Sequence, residues 1–201
     1  MKTFVCDVDG VLADFVLGFT NQANKLFPDV PVYGALQQKT WNGFAGMSPE
    51  QVALTWKVVR DSPVFWADLP DLVSDETWEL LRRLNVKADV YFATSRVGND
   101  PLFQTKSWLE KKGIFRPNVV VTARKGEFCR VISATGAIDD KSDNVNAIAW
   151  MSERYQGYTV PFLLSRPYNR YDDAIIGSKY VRRVGSVKEY LEWCFKHIDA
   201  S

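Results

Sequence analysis

Five short apolar runs recur along this chain of 201 residues, and they are continuous blocks rather than alternating ones. They are TFVCDV (3–8), ADVYFATS (88–95), NVVVTA (118–123), GAIDD (136–140) and TVPFLLS (159–165). A strand with one wet face alternates apolar and polar residues, whereas a continuous block suits a strand covered on both faces, as in a parallel sheet. Parallel strands need crossovers, and the segments between the runs read as helices with recognisable ends. SDETWELLRRLN (74–85) begins on Ser74 as N-cap, with acids in its first turn. DPLFQTKSWLEKKG (100–113) has Asp100 as N-cap, Pro101 in the first turn and Gly113 just past the end. KGEFCRVIS (125–133), SDNVNAIAWM (142–151) and GSVKEYLEWCF (185–195) supply three more. This alternation predicts an α/β fold with a doubly wound, Rossmann-like core.

One segment breaks the pattern. Residues 15–72 contain no convincing strand, but they hold helical patterns at 14–27 and 48–60. Ser48, Pro49 and Gln51 resemble a capping box at the start of the second. The expectation is a helical insertion, or cap, of residues 15–72 lying over one end of a core made from 1–14 and 73–201. Phe15, Phe19, Phe27, Tyr33, Trp41, Phe44, Trp56, Phe65 and Trp66 crowd this piece. Most are expected to form a small aromatic core, and a few to face the cleft and stack on a flat ligand.

Composition narrows the chemistry. Lys and Arg number 25 against 24 Asp and Glu, so broad electrostatic capture of nucleic acid is not expected. The three cysteines (Cys6, Cys129, Cys194) form no CxxC pair, which argues against a disulfide framework or a zinc knuckle. A single histidine, His197, leaves little material for Ser-His-Asp chemistry. The N-terminal MKTFVCDVDG interrupts its apolar run too early for a signal peptide, and no run approaches membrane-spanning length. The expected setting is cytoplasmic, with no membrane partner.

The acids are where the chemistry concentrates. Asp7 and Asp9 sit at the end of the first strand, on one face of it, followed by Gly10, which lets the chain turn sharply. Asp139 and Asp140 end the fourth strand, with Asp143 and Asn144 beyond. In open α/β sheets ligands bind outside the carboxyl ends of the strands. Carboxylates crowded there repel one another, and oxygen-only ligands without His or Cys suggest magnesium as the relieving cation. Thr94 and Ser95 add hydroxyls at the second strand end; Arg96, Arg124 and Lys125 add positive charge at the second and third. Acids for a metal, a hydroxyl and a lysine make a phosphoryl-handling site. An ionised aspartate can attack phosphorus directly, and a neighbouring acid can shuttle the proton. Each signal alone is commonplace in a strand end or helix cap. Four in order, each ending a separate strand, are not.

These residues resemble a known family. DVDGVLADF looks like motif I of the haloacid dehalogenase (HAD) superfamily, FATS like motif II, Lys125 like the motif III lysine and IDDKSDN like motif IV. The resemblance implies Asp7 as nucleophile and Asp9 as general acid/base. It implies Mg2+ held by Asp7, the backbone carbonyl of Asp9 and a motif IV acid, favouring Asp140 with Asp139 in support. Thr94, Ser95 and Lys125 would bind the phosphoryl group. Within the superfamily the chain is most similar to the 5'(3')-deoxyribonucleotidases, through the fuller DVDGVLADF, VVVTARK, SRPYNR (165–170) and the inserted cap. That implies a small-molecule nucleotide substrate, with Phe15 and Phe44 against the base, and leaves a homodimer open. Two positions depart from the mammalian pattern: Arg60 stands where a base-contacting tyrosine belongs, and is expected to contact the base edge or sugar instead, and Arg96 stands where proline follows the TS pair. Alternative readings are a phosphatase for nucleic-acid 3' ends or another small phosphate ester, and a non-catalytic nucleotide-binding or interaction protein.

Overall fold

The computed structural model describes residues 1–40, 43–157, 159–172 and 180–199, so Trp41 lies outside the described residues. Six parallel strands form one sheet: β1 (Thr3–Asp7), β2 (Asp89–Thr94), β3 (Asn118–Val121), β4 (Gly136–Asp139), β5 (Val160–Leu164) and β6 (Arg182–Val184). Their order across the sheet is β3-β2-β1-β4-β5-β6. Two halves therefore wind outward from β1, and the crevice between the ends of β1 and β4 is the topological switch point where such folds take ligands.

Helices α3 (Asp75–Lys87), α4 (Pro101–Lys111), α5 (Lys125–Val131), α6 (Ser142–Arg154) and α7 (Val187–Asp199) make the crossovers and the last layer. The predicted caps form: the Ser74 hydroxyl accepts from Thr77 N at 3.3 Å, and the Asp100 carboxylate from Phe103 N at 3.1 Å. Period-two alternation divides the core between the two faces of the sheet. Phe4, Cys6, Phe92 and Phe162 join the larger apolar cluster, while Val5, Ala93 and Ala137 pack with Cys129 and Ile148 on the other side.

The expectation of five strands is corrected to six. The missed β6 is RRV, an edge strand paired with β5 through Phe162↔Arg182 and Leu164↔Val184, with both arginines exposed. Charge on an outer strand deters edge-to-edge pairing, and in sequence it reads only as a solvated basic stretch.

Between β1 and α3 the described residues hold α1 (Phe15–Leu26), α2 (Pro49–Asp61) and a 3-10 turn at Phe65–Ala67. The capping box of α2 forms, with Ser48 N donating to Gln51 Oε1 at 2.8 Å and Gln51 N to Ser48 Oγ at 3.3 Å. Entry to and exit from this segment lie side by side. Leu72 N donates to Leu12 O and Asp14 N to Pro70 O, each at 2.8 Å. The segment is not insulated from the rest: Phe15, Phe19, Val59 and Trp66 belong to the same buried cluster as Phe4 and Phe92.

Candidate active site

Asp7 is the last residue of β1 and is buried. Immediately after it the chain coils tightly, with Leu12 N and Ala13 N both donating to Val8 O at 2.8 Å. Gly10 makes this turn at φ +81°, and a Cβ there would overlap the Asp140 carboxylate. Here glycine answers both the left-handed backbone and the close approach of a second acid.

Three carboxylates converge in the crevice. Oxygens of Asp7, Asp139 and Asp140 all lie within 4.8 Å of one another, and all three residues are buried. Lys125, the first residue of α5, reaches in with Nζ 2.7 Å from Asp7 Oδ1 and 2.6 Å from Asp139 Oδ2. Burial works against the lysine's charge, but the Asp139 and Asp7 carboxylates outweigh it and hold its pKa above the ordinary lysine value. Asp139 is further supplied by Lys141 N at 2.9 Å and by Asn144 Nδ2 at 3.0 and 3.1 Å. Asp7 Oδ1 also accepts from Val8 N at 2.7 Å. Burial, then repulsion from Asp139, raises the Asp7 pKa well above the carboxylate range.

Asp140 is served differently. The Tyr168 hydroxyl donates to its Oδ2, and Asn169 Nδ2 donates to its backbone carbonyl at 2.7 Å. Its Oδ1 is buried with no hydrogen-bond partner among the described residues. Burial, then Asp139, pushes the Asp140 carboxyl up to about 6. A buried carboxylate oxygen without a donor, beside two more carboxylates, is the environment a hard divalent cation satisfies. The donor set is all oxygen, so the residues present fit Mg2+.

Asp9 stands at the lip. Thr94 Oγ1, at the end of β2, donates to Asp9 Oδ2 at 3.1 Å, and Arg96 pairs with the same carboxylate at 2.8 Å. Ser95 lines the cleft but turns its hydroxyl to Thr122 O at 3.1 Å. The cleft, of about 170 Å³, is bounded by Asp7, Asp9, Thr94, Arg96, Lys125 and Lys141 on the polar side and by Phe15, Trp56 and Trp66 on the apolar side. Phe15 and Trp56 also border a wider hollow of about 550 Å³ shared with Phe44, Met47 and Val52.

The aromatic residues are packed on one another. Phe15 stacks with Trp56 (centroids 5.4 Å apart) and Trp66 (5.6 Å), and Phe44 lies on Phe19 at 4.2 Å. Only 8% of Phe15 is exposed, so in this arrangement it serves mainly as core, while Trp56 and Phe44 keep open surface. Arg60 is exposed, and its Nε turns back to Trp56 O at 3.2 Å; it does not line the cleft.

The chain matches the family model for 5'-nucleotidase, deoxy (pyrimidine), cytosolic type C protein over residues 2–176. The protein belongs to this family. It is a phosphoric monoester hydrolase, a phosphatase acting on nucleotides. Similar solved structures include a haloacid dehalogenase-like hydrolase from Burkholderia xenovorans LB400, with TM-score 0.59, 11% identity and 95% of each chain covered. A HAD family hydrolase from Deinococcus radiodurans R1 with bound phosphate and sodium gives 0.58 at 10% identity, over 99% of this chain and 96% of that one. The HAD-hydrolase YfnB from Bacillus subtilis bound to magnesium gives 0.56 at 16%, over 96% and 98%. At such identities these likenesses bear on the fold, which is that of the HAD hydrolases. No curated protein matches the sequence.

The nucleotidase thus brings Asp7, Asp9, Asp139, Asp140, Thr94, Ser95 and Lys125 to one rim, from the ends of four strands. Phe15 stands at its apolar border, Phe44 lines only the adjoining hollow, and Arg60 does not reach it. Trp56 and Trp66, named in sequence only among the nine aromatics of residues 15–72, also line the cleft. Tyr168 and Asn169, which hold Asp140, were visible only as a PYN segment with no role attached.

Proposed function

We propose that this nucleotidase hydrolyses nucleoside monophosphates, deoxy ones above all, in a Mg2+-dependent reaction through an aspartyl phosphate on Asp7. The observation that carries the reading is the meeting of Asp7 with Lys125 at 2.7 Å, in a carboxylate cluster whose Asp140 retains a partnerless buried oxygen. Asp7, Asp140 and the backbone carbonyl of Asp9 would hold the cation, with Asp139 supporting through Lys125. When bound, Mg2+ supplies positive charge opposite the phosphoryl oxygens.

In the first half-reaction an Asp7 oxygen attacks phosphorus, the bond to the nucleoside oxygen breaks, and Asp9 delivers a proton to that oxygen. Lys125 and Thr94 receive the phosphoryl oxygens. In the second, Asp9 takes a proton from the attacking water, phosphate leaves and the Asp7 carboxylate is restored. Residues 15–72 act as a cap over the core of 1–14 and 73–201, excluding bulk water while Asp7 carries the phosphoryl group. The base lies against Trp56 and Phe44, the half-buried aromatics, with Phe15 backing Trp56. The family's cytosolic description supports a cytoplasmic setting.

The test is phosphate release, with and without Mg2+, from deoxy- and ribonucleoside 5'- and 3'-monophosphates, sugar phosphates and a 3'-phosphorylated oligonucleotide, with Asp7→Asn as the blank. Metal-dependent release led by deoxynucleotides and absent in Asp7→Asn is the expected result. Release led by the oligonucleotide or a sugar phosphate would overturn the substrate, and an active Asp7→Asn enzyme would overturn the mechanism.

A further inference from the structure

Arg96 follows the Thr94–Ser95 pair, and its side chain is wholly buried whereas that of Asp9 is 18% exposed. One edge of the guanidinium grips both oxygens of Asp9. Nε lies 3.0 Å from Oδ2 and 3.2 Å from Oδ1, and the NH2 nitrogen lies 2.8 Å from Oδ1. The NH1 nitrogen points the other way, donating to Trp66 O at 3.2 Å and Thr105 Oγ1 at 3.0 Å. The plane sits 5.0 Å from the Trp66 ring centroid and 5.8 Å from that of Trp108. Trp66 is itself pinned, with its backbone N donating to Gln104 Oε1 and its indole Nε1 to Val97 O, each at 2.9 Å. Arg96 is therefore a strut with every edge engaged. It runs from Asp9 to the turn that carries Trp66 and to α4, and although the residue borders the cleft its side chain is wholly buried.

We infer that Arg96 is a positioning residue: it fixes the Asp9 carboxylate at the lip of the cleft and ties it to the aromatic wall at Trp66. The inference rests on the reading of Asp9 as the proton carrier. A lysine cannot substitute for this geometry, because the two-nitrogen grip needs the planar fork of the guanidinium. A buried pair that served stability alone would be a poor choice, since desolvating both charges offsets most of their attraction. Here one partner stays open to the cleft, and among the described residues the other three carboxylates of the site pair with no arginine. The consequence is kinetic. While the P–O bond to the nucleoside breaks, the leaving alkoxide needs a proton delivered to one place, and a displaced Asp9 fails at that step first. A nitrophenolate leaving group needs no such proton.

The experiment compares kcat/KM for a deoxynucleoside monophosphate and for p-nitrophenyl phosphate in wild type, Arg96→Lys, Arg96→Gln, Asp9→Asn and the Asp9→Asn/Arg96→Gln double variant. Folding is checked by thermal melting. Arg96→Lys keeps the charge and guards against a collapse of the fold in Arg96→Gln. Both Arg96 variants are expected to lower the nucleotide-to-aryl ratio at least tenfold. Asp9→Asn is expected to lower it further, and the double variant to add less than twofold to Asp9→Asn. An unchanged ratio in folded Arg96→Lys and Arg96→Gln, with Asp9→Asn still selective, would overturn the role of Arg96 alone. Faster nucleotide turnover in either Arg96 variant would also overturn it, showing that the arginine restrains Asp9. Loss of selectivity in Asp9→Asn itself would bring down the proton-carrier reading and this inference together.

Discussion

Removing the charge of Asp140 should stabilise the metal-free protein while abolishing its response to Mg2+. Burial and Asp139 lift this carboxyl from its ordinary 3.8 to about 6 in the folded protein. The native state then holds more protons than the unfolded chain between those two values, so stability falls as pH rises through that window. Below it both states are protonated and nothing is lost; above it the loss is complete. At about 1.4 kcal/mol per pH unit, the loss at neutral pH is on the order of 3 kcal/mol. In Asp140→Asn the amide oxygen can still accept from Tyr168, and the amide nitrogen can face Asp7 and Asp139. For a chain of this length 1 kcal/mol moves the melting temperature by about 2–4 °C. Metal-free Asp140→Asn is therefore expected to melt roughly 6–12 °C above metal-free wild type at neutral pH, with the gap closing near pH 4. Mg2+ at a hundred times its dissociation constant adds about 2.7 kcal/mol to wild type by mass action, and the variant should lack most of that gain. Calorimetric melts in chelator and in Mg2+, at both pH values, read all of this. A metal-free variant that melts below wild type at neutral pH would refute the reasoning, because the carboxylate would then be a stabilising group. An equal Mg2+ gain in both proteins would refute the assignment of Asp140 as a ligand.

Lys125→Ala leaves Asp7 and Asp139 facing each other without their shared cation, and should cost about 3–5 kcal/mol of stability in a urea titration. A cost below 1 kcal/mol would mean that the carboxylates repel less than their spacing implies. Gly10→Ala should lower both stability and Mg2+ affinity, since its φ of +81° and the Asp140 carboxylate both resist a Cβ; isothermal titration showing wild-type Mg2+ affinity would contradict this. Trp56→Ala should raise KM for nucleotides about tenfold, the worth of one stacked base, with little change for an aryl phosphate. Equal changes on both would make Trp56 core rather than a binding surface.

The strand ends were legible because a strand buried on both faces must be apolar throughout, so the first polar residue after each run marks the rim of the sheet. Asp7, Thr94 and Asp139 are such residues, and Lys125 stands a few positions beyond the end of β3. What the sequence did not show is what crosses between elements. Arg96 meets Asp9 over 87 residues, and Tyr168 meets Asp140 over 28. Neither pairing has a local period, so neither leaves a trace in spacing. The aromatic load of residues 15–72 was visible as a count, but which rings face the cleft depends on how α1, α2 and the turn at Phe65–Ala67 pack together. Phe15 shows the difficulty: at the border of the cleft, it is nonetheless consumed by contacts with Trp56 and Trp66.

Adjacent acids of the IDDKSDN run look interchangeable on paper, yet the fold gives them opposite situations. Asp139 ends β4 and is saturated: an ammonium, an amide side chain and a backbone N–H all donate to it. Asp140, one residue past the strand, receives one hydroxyl and among the described residues keeps an oxygen with no donor. The difference lies in what each meets. Asp139 points at the start of α5, which delivers Lys125, while Asp140 is backed by the PYN turn, which supplies a phenol and a carboxamide but no cation. A saturated carboxylate anchors a lysine, and an unsaturated one waits for a charge from solution. The same pair of letters therefore supplies a counter-ion to Lys125 and a carboxylate with an open oxygen, the one we propose as a metal ligand, and the turn at Tyr168–Asn169, remote in sequence, sets the two apart.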